Sequence, residues 1–293
     1  MNLLNGWRLA VAPRFHLDPD WPARVAIGAG VEEQDGAHFP RGPWRPPTPD
    51  ELALLVAKTP TSLPGVLPLL GEEGEPAPAA LCDPVDTICL FQIPAHLRSA
   101  WWDLLDTAAG SGGRIEGFDR FAAQVAEFLT FKRLPSPVSA QMEAIVTATG
   151  ERSIRRDATT GRPAGLGPTI APWTPWPVCG IPESRLWGAV NLGDEDTALV
   201  MLNLPLAALA TELARHSPGE PAPTTVGELV RRFLQAFADY MPIRLRLGAG
   251  EGCRLPAGGL ILDGDPTGKQ EPDVMLLISE NGESGERADE PGR

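Results

Sequence analysis

His16-Leu17-Asp18 sets an imidazole and a carboxylate two positions apart, so on a strand both would point to one face. That is the spacing of two ligands of a non-haem iron site, which then needs a second, distant histidine. Only His38, His96 and His216 remain. His96 falls in a predicted first helical turn, and His216 at a predicted helix end, where an imidazolium complements the dipole. Lone histidines more often serve structure. No pair of histidines has ligand-like spacing, so no tightly bound iron or zinc is expected. VAIGAGVEE at 25–33 imitates a dinucleotide fingerprint, but Glu33 stands at the third glycine position. No helix can follow to hold a pyrophosphate, and a plain turn is the better reading. GDPTGKQ at 264–270 imitates a phosphate loop, yet it is one residue short and ends in Gln270 where a magnesium-binding hydroxyl belongs. It reads as a turn. Cysteines 82, 89, 179 and 253 fit no zinc spacing and read as four reduced, mostly buried thiols. No serine sits in a G-x-S-x-G elbow. In APWTPWP at 171–177, Trp173 and Trp176 are stiffened by prolines. They form either an aromatic lid over a ligand or a plug for one end of the core.

The whole chain narrows these choices. Its 293 residues suffice for one large or two modest domains. A net charge of −13 repels nucleic acid, and no Lys/Arg run offsets it. No apolar run approaches the ~18 residues of a membrane span, and Asn5, Gly6 and Arg8 break any signal-peptide core. The expected compartment is therefore cytoplasmic. The 32 prolines and 31 glycines favour many short elements joined by turns.

Those elements are partly readable. Thr48, Pro49 and Glu51 form a capping box opening a helix in TPDELALLVAK. Apolar residues at helical spacing mark helices in 94–110, 116–131 and 205–215, and a last helix is capped by Thr225 with Glu228 three residues on. IRLRL at 243–247 alternates as a strand with one wet face. LWGAVNL and TALVMLNL, flanking the acidic turn 193–196, read as a hairpin. GLILD and DVMLLIS are uniformly apolar and should be buried, and WRLAVAP and VDTICLFQI are earlier strands. Residues 71–80 read as a solvated loop, and 161–183 as irregular, Pro-rich chain. The tail at 280–293 has nothing worth burying and reads as disordered.

The stretch from IRLRL through GEGCRLPAGG resembles the second motif of cupins and the closing strands of iron- and 2-oxoglutarate-dependent oxygenases, both double-stranded β-helix families. Pro256 and Gly258 match the motif's bend, while Ile261 stands where it places a histidine. Asp263 is the nearest carboxylate. Arg155-x-Asp157 stands where these oxygenases place H-x-D. The resemblance covers roughly residues 142–279. It implies an α+β fold: a β-rich, jelly-roll-like barrel of the double-stranded β-helix type with buttressing α-helices. The domain is then single over 1–279, helix-rich to about 138 and barrel from about 139. Residues 243–279 should be antiparallel strands, with Gly258 and Gly259 at a sharp bend.

Two functions follow as expectations. One is an oxygenase-like or cupin-like small-molecule enzyme with an altered metal site. There Arg155, Asp157 and Asp263 are catalytic, Arg246, Trp173 and Trp176 bind substrate, and the arginines hold an acidic small molecule. No metal ligand set is assigned, and the cofactor is unknown. The other is a non-catalytic binding or assembly protein with a protein partner docked on the Trp-Pro loop.

Overall fold

A computed structural model describes residues 6, 8–11, 21–34, 37–55, 87–108, 117–131, 140–147, 155–156, 163–164, 186–255, 260–265 and 268–280. The readings of His16, Asp18, Asp157, Trp173, Trp176, Pro256, Gly258, Gly259, the acidic loop at 71–80 and the tail from 281 lie outside these residues.

In chain order the strands are β1 (Arg8–Val11), β2 (Val25–Ile27), β3 (Val31–Gln34), β4 (Ala37–Pro40) and, after helix α1 (Pro49–Leu55), β5 (Thr87–Gln92). Helices α2 (Ala95–Ala108) and α3 (Phe118–Phe131) precede β6 (Ala140–Thr147), β7 (Arg155–Arg156), β8 (Pro163–Ala164), β9 (Leu186–Asn191) and β10 (Thr197–Pro205). Helices α4 (Leu206–His216) and α5 (Val226–Ala236) lead into β11 (Ile243–Leu247), β12 (Glu251–Arg254), β13 (Leu260–Gly264) and β14 (Asp273–Glu280).

Two larger sheets organise these strands. One has the order β1-β5-β12-β9-β14-β6, the other β13-β10-β11-β2. All pairings within them are antiparallel except β1 with β5. Side chains alternate across each strand, and the alternation builds three stacked cores. Leu199, Met201, Leu245, Leu262, Ile88, Cys253 and Met275 fill the space between the sheets. Val200, Leu202 and Ile261, on the opposite face of the four-stranded sheet, are covered by Leu209, Leu229 and Phe233 of α4 and α5. Phe91, Val190, Leu276 and Ile278 meet Leu97, Trp101, Phe121 and Val125 of α2 and α3 on the far face of the six-stranded sheet. The molecule is therefore layered helix, sheet, sheet, helix, a mixed α/β arrangement with both sheets covered.

Layering explains why β13 and β14 read as uniformly apolar: each is buried on both faces. It also corrects two expectations. Among the described residues the sheets form no closed barrel. LWGAVNL and TALVMLNL do not pair as a hairpin, because β9 lies in the six-stranded sheet and β10 in the four-stranded one. The acidic turn between them carries the chain from one layer to the other. The turn from β11 to β12 does the same. Strands β11 to β14 are antiparallel in their sheets, as expected of 243–279.

The capping predictions hold at atomic detail. Thr48 N–H donates to Glu51 Oε2 at 2.8 Å and Glu51 N–H to Thr48 Oγ1 at 3.3 Å. Glu228 N–H donates to Thr225 Oγ1 at 3.2 Å, but the Glu228 carboxylate reaches Thr224 N–H, at 2.9 Å, rather than Thr225.

Candidate functional site

Among the described residues a cleft of about 460 Å³ is lined by Gly28, Ala29, Pro43, Arg45, Glu51, Asp239 and Met241. Four pieces of chain build it. The backbone of Arg45 pairs with Ile27 at the edge of β2, with N···O distances of 2.8 and 3.0 Å. Prolines 46, 47 and 49 then stop any strand, since they lack the N–H a ladder needs, and Pro49 opens α1. That puts Glu51 of α1 against Arg45. The Arg45 guanidinium donates to both carboxylate oxygens, at 2.7 and 2.6 Å. With Thr48 N–H added, these bonds hold the Glu51 carboxyl down at about 2 and push Arg45 upward.

The opposite wall is residues 239–241. Tyr240 between them is fully buried and donates its hydroxyl to Asn203 of β10, so its neighbours Asp239 and Met241 face the cleft from a fixed support. Arg41 Nη2 donates to Asp239 Oδ1 at 2.9 Å and to the Ala29 carbonyl at 2.8 Å, tying this wall to the entry of β3. Gly28 admits Pro242 and Trp44, whose atoms would lie 2.9 and 3.2 Å from a Cβ there. The floor is thus thioether, proline and bare backbone. The rim is two ion pairs.

A second polar concentration joins the turns at one end of the sandwich. Buried Asn191 donates through Nδ2 to the carbonyls of Glu195, 2.9 Å, and Leu247, 3.0 Å, and accepts from Gly193 N–H at 2.9 Å. Glu195 accepts from the N–H groups of Gln270 and Glu271, which lowers its pKa. Lys269 Nζ lies 2.8 Å from Asp273 Oδ1, both side chains buried. Arg24 pairs with Glu251, which also accepts from Gly248 N–H at 2.6 Å. Arg98 Nη2 meets Asp194 at 2.6 Å. These bonds cross-link three turns and leave each named charge facing a structural partner.

Of the residues expected to act, the side chains of Asp263 and Arg246 are described, and each has its own local partner. Asp263 lies on the outer face of β13, opposite Val200 and buried, and accepts from Gly264 N–H at 2.8 Å. Arg246 lies across β10, opposite Ala198; it is exposed and has Nε 3.2 Å from Asp196 Oδ2. Arg244 sits in register with Asp263 through Val200, but its Nε faces Asp265 at 3.1 Å and its guanidinium stacks 5.8 Å from the Trp44 ring. Arg155 is placed by its backbone on β7, opposite Ala164. Ile261, at the position where the cupin-like motif has histidine, is part of the core beneath α4 and α5. Among the described residues no group of three or more His, Cys, Asp or Glu could hold a metal ion. Cys253 is a free thiol, pushed up to about 12 by burial between the sheets. Cys89 is disulfide-bonded, with its partner outside the described residues, which corrects the expectation of four reduced thiols. No described helix is long and apolar enough to cross a membrane.

The cleft escaped sequence reasoning because its residues lie far apart in the chain. Glu51 stood out as a cap, and Gly28 and Ala29 as part of a plain turn. No protein-family model, curated protein or solved structure matches this chain.

Proposed function

We propose that this chain is a non-catalytic binding protein whose ligand occupies the Arg45–Met241 cleft. One observation carries the reading: the cleft has the volume of a small-ligand site, and its charges are already matched in pairs. A general acid or base needs a carboxyl tuned toward neutral pH, whereas Glu51 is held at about 2. The ligand that suits such a site is compact and amphipathic, with an apolar part over Met241 and Pro43 and a polar head at the Arg41–Asp239 rim. Asp239 is largely exposed there, at 73 %. The altered-oxygenase reading would instead draw Asp263 and Arg246 into one site with Arg155 and Asp157. Asp263 and Arg246 each hold a different local partner, which favours the binding reading.

The test is a titration of protein labelled at its methionine methyls with a panel of small ammonium, guanidinium, carboxylate and aromatic compounds. Saturable shifts at Met241, lost in Asp239→Asn, are expected. Consumption of 2-oxoglutarate by protein loaded with ferrous iron would overturn the reading.

A further inference from the structure

One wall of the cleft belongs to a hairpin that holds a buried histidine. Strands β3 and β4 pair from Val31↔Pro40 through Glu33↔His38 to Gln34↔Ala37. The ladder runs on into the cleft: Ala29 N–H donates to Arg41 C=O at 2.9 Å and Arg41 N–H to Gly30 C=O at 2.8 Å. Gly28 and Ala29 thus enter the hairpin from the cleft, and Pro43 follows its exit. One backbone bond docks the hairpin on the end of α5, Val31 N–H to the Ala238 carbonyl at 2.7 Å.

His38 shares a face of the hairpin with Val31, because cross-strand partners and alternate residues point the same way. That face is turned to α5, where Val31 packs with Leu229, Val230 and Phe233. The His38 side chain is only 7 % exposed. Among the described residues two charged groups face it: Glu33 on β3, whose Oε2 is 4.0 Å from Nε2 and whose side chain is half in water, and Arg231 on α5. Strand β8, which also meets β4, is Pro163–Ala164 and brings no titratable group.

We propose that the β3–β4 hairpin is an acid-sensitive wall of the cleft: protonation of His38 releases it from α5 and opens the site. The mechanism is the hydration of a charge. An imidazolium at this position gives up water and faces the Arg231 guanidinium, and a half-solvated Glu33 returns only part of that loss. Burial is accordingly the first cause, and Arg231 a further one, that holds His38 below its ordinary 6.5. The docked hairpin is most stable above 6.5, where both docked and released forms carry a neutral ring. Docking weakens as pH falls from 6.5 through the lowered value. Release rehydrates His38, breaks the Val31 bond and pulls Ala29 away from Asp239, while Gly28 stays bonded to the Pro242 carbonyl at 2.9 Å.

The proposal rests on the cleft being the binding site, and its test needs no ligand. In the full-length protein the His38 imidazole is titrated by NMR, and the protection factor of the Val31 amide is measured at about pH 7.5 and about pH 5. The expected result is a midpoint below that of a free histidine. Val31 should lose roughly tenfold protection per unit of lowering, while Val200 in β10 is unchanged. Arg231→Gln, which leaves the hairpin sequence intact, should move the midpoint upward, and His38→Gln should make Val31 protection independent of pH. An imidazole that protonates with no change at Val31 overturns the proposal, as does a midpoint at or above the free value or one that Arg231→Gln leaves in place. A failed ligand titration would leave the Val31 result untouched, so failure of the wall and failure of the cleft are separable.

Discussion

Glu51 gathers three hydrogen bonds on one carboxylate, two from Arg45 and one from the Thr48 amide. Its pKa lies at about 2 against an ordinary 4.5, so it contributes stability that is complete above 4.5 and lost as pH falls through about 2. The full shift corresponds to about 3 kcal/mol. Solvent around the half-exposed Arg45 reduces this to roughly 1 kcal/mol. Glu51→Gln should therefore lower stability by about that amount at neutral pH and flatten the acid limb, as urea unfolding between about pH 2 and pH 7 would show. The two described cysteines make a separate prediction. Cys89 is disulfide-bonded and Cys253 is buried with a raised pKa, so denatured, unreduced protein should show no more than two reactive thiols of its four. A thiol titration with and without reductant checks this, and four thiols before reduction would contradict it.

Elements declare themselves in sequence when their signals are local. The Thr48–Glu51 and Thr225–Glu228 caps lie within one helical turn, so residue type and spacing were sufficient, and Thr225→Ala should cost about 1 kcal/mol. Layer membership is not local. Five residues join β9 to β10, a length that suits a hairpin as well as a step between sheets, and the distinguishing signal is the apolar run from Ala198 to Leu202 within β10. Charged residues in strands were legible as oddities, yet Asp263 and Arg246 turned out to answer to near neighbours, Gly264 and Asp196. The cleft was invisible because Arg45 and Met241 meet across nearly two hundred residues. Glycines carry two tests at this scale. At Gly252 a Cβ would lie 2.7 Å from the Phe91 ring and 2.8 Å from the Ala189 carbonyl, so Gly252→Ala should cost about 1–3 kcal/mol by overpacking. Gly30 has φ +122° and leaves only 2.4 Å between a Cβ and the Ala238 carbonyl. Gly30→Ala should undock the β3–β4 hairpin, read as loss of Val31 amide protection, with the sheets intact.

At the scale of the molecule, early and late strands share each sheet, since β1 and β5 pair into the one that holds β14, and β2 into the one that holds β13. Helices cover both outer faces, and the Arg45–Met241 cleft lies at an edge of the layers. Phe233→Ala, at a side chain fully buried between α5 and the four-stranded sheet, should cost about 3–5 kcal/mol through the lost apolar burial and the cavity left behind. The measurement that bears most directly on the central claim is a crystal structure of the full chain soaked with the compound panel, and in parallel with ferrous iron and 2-oxoglutarate. Ligand density is expected between Ala29, Pro43 and Met241, with the Arg45–Glu51 pair intact and no metal beside Asp263. Iron bound beside Asp263, with 2-oxoglutarate on it and an empty cleft, would contradict the claim.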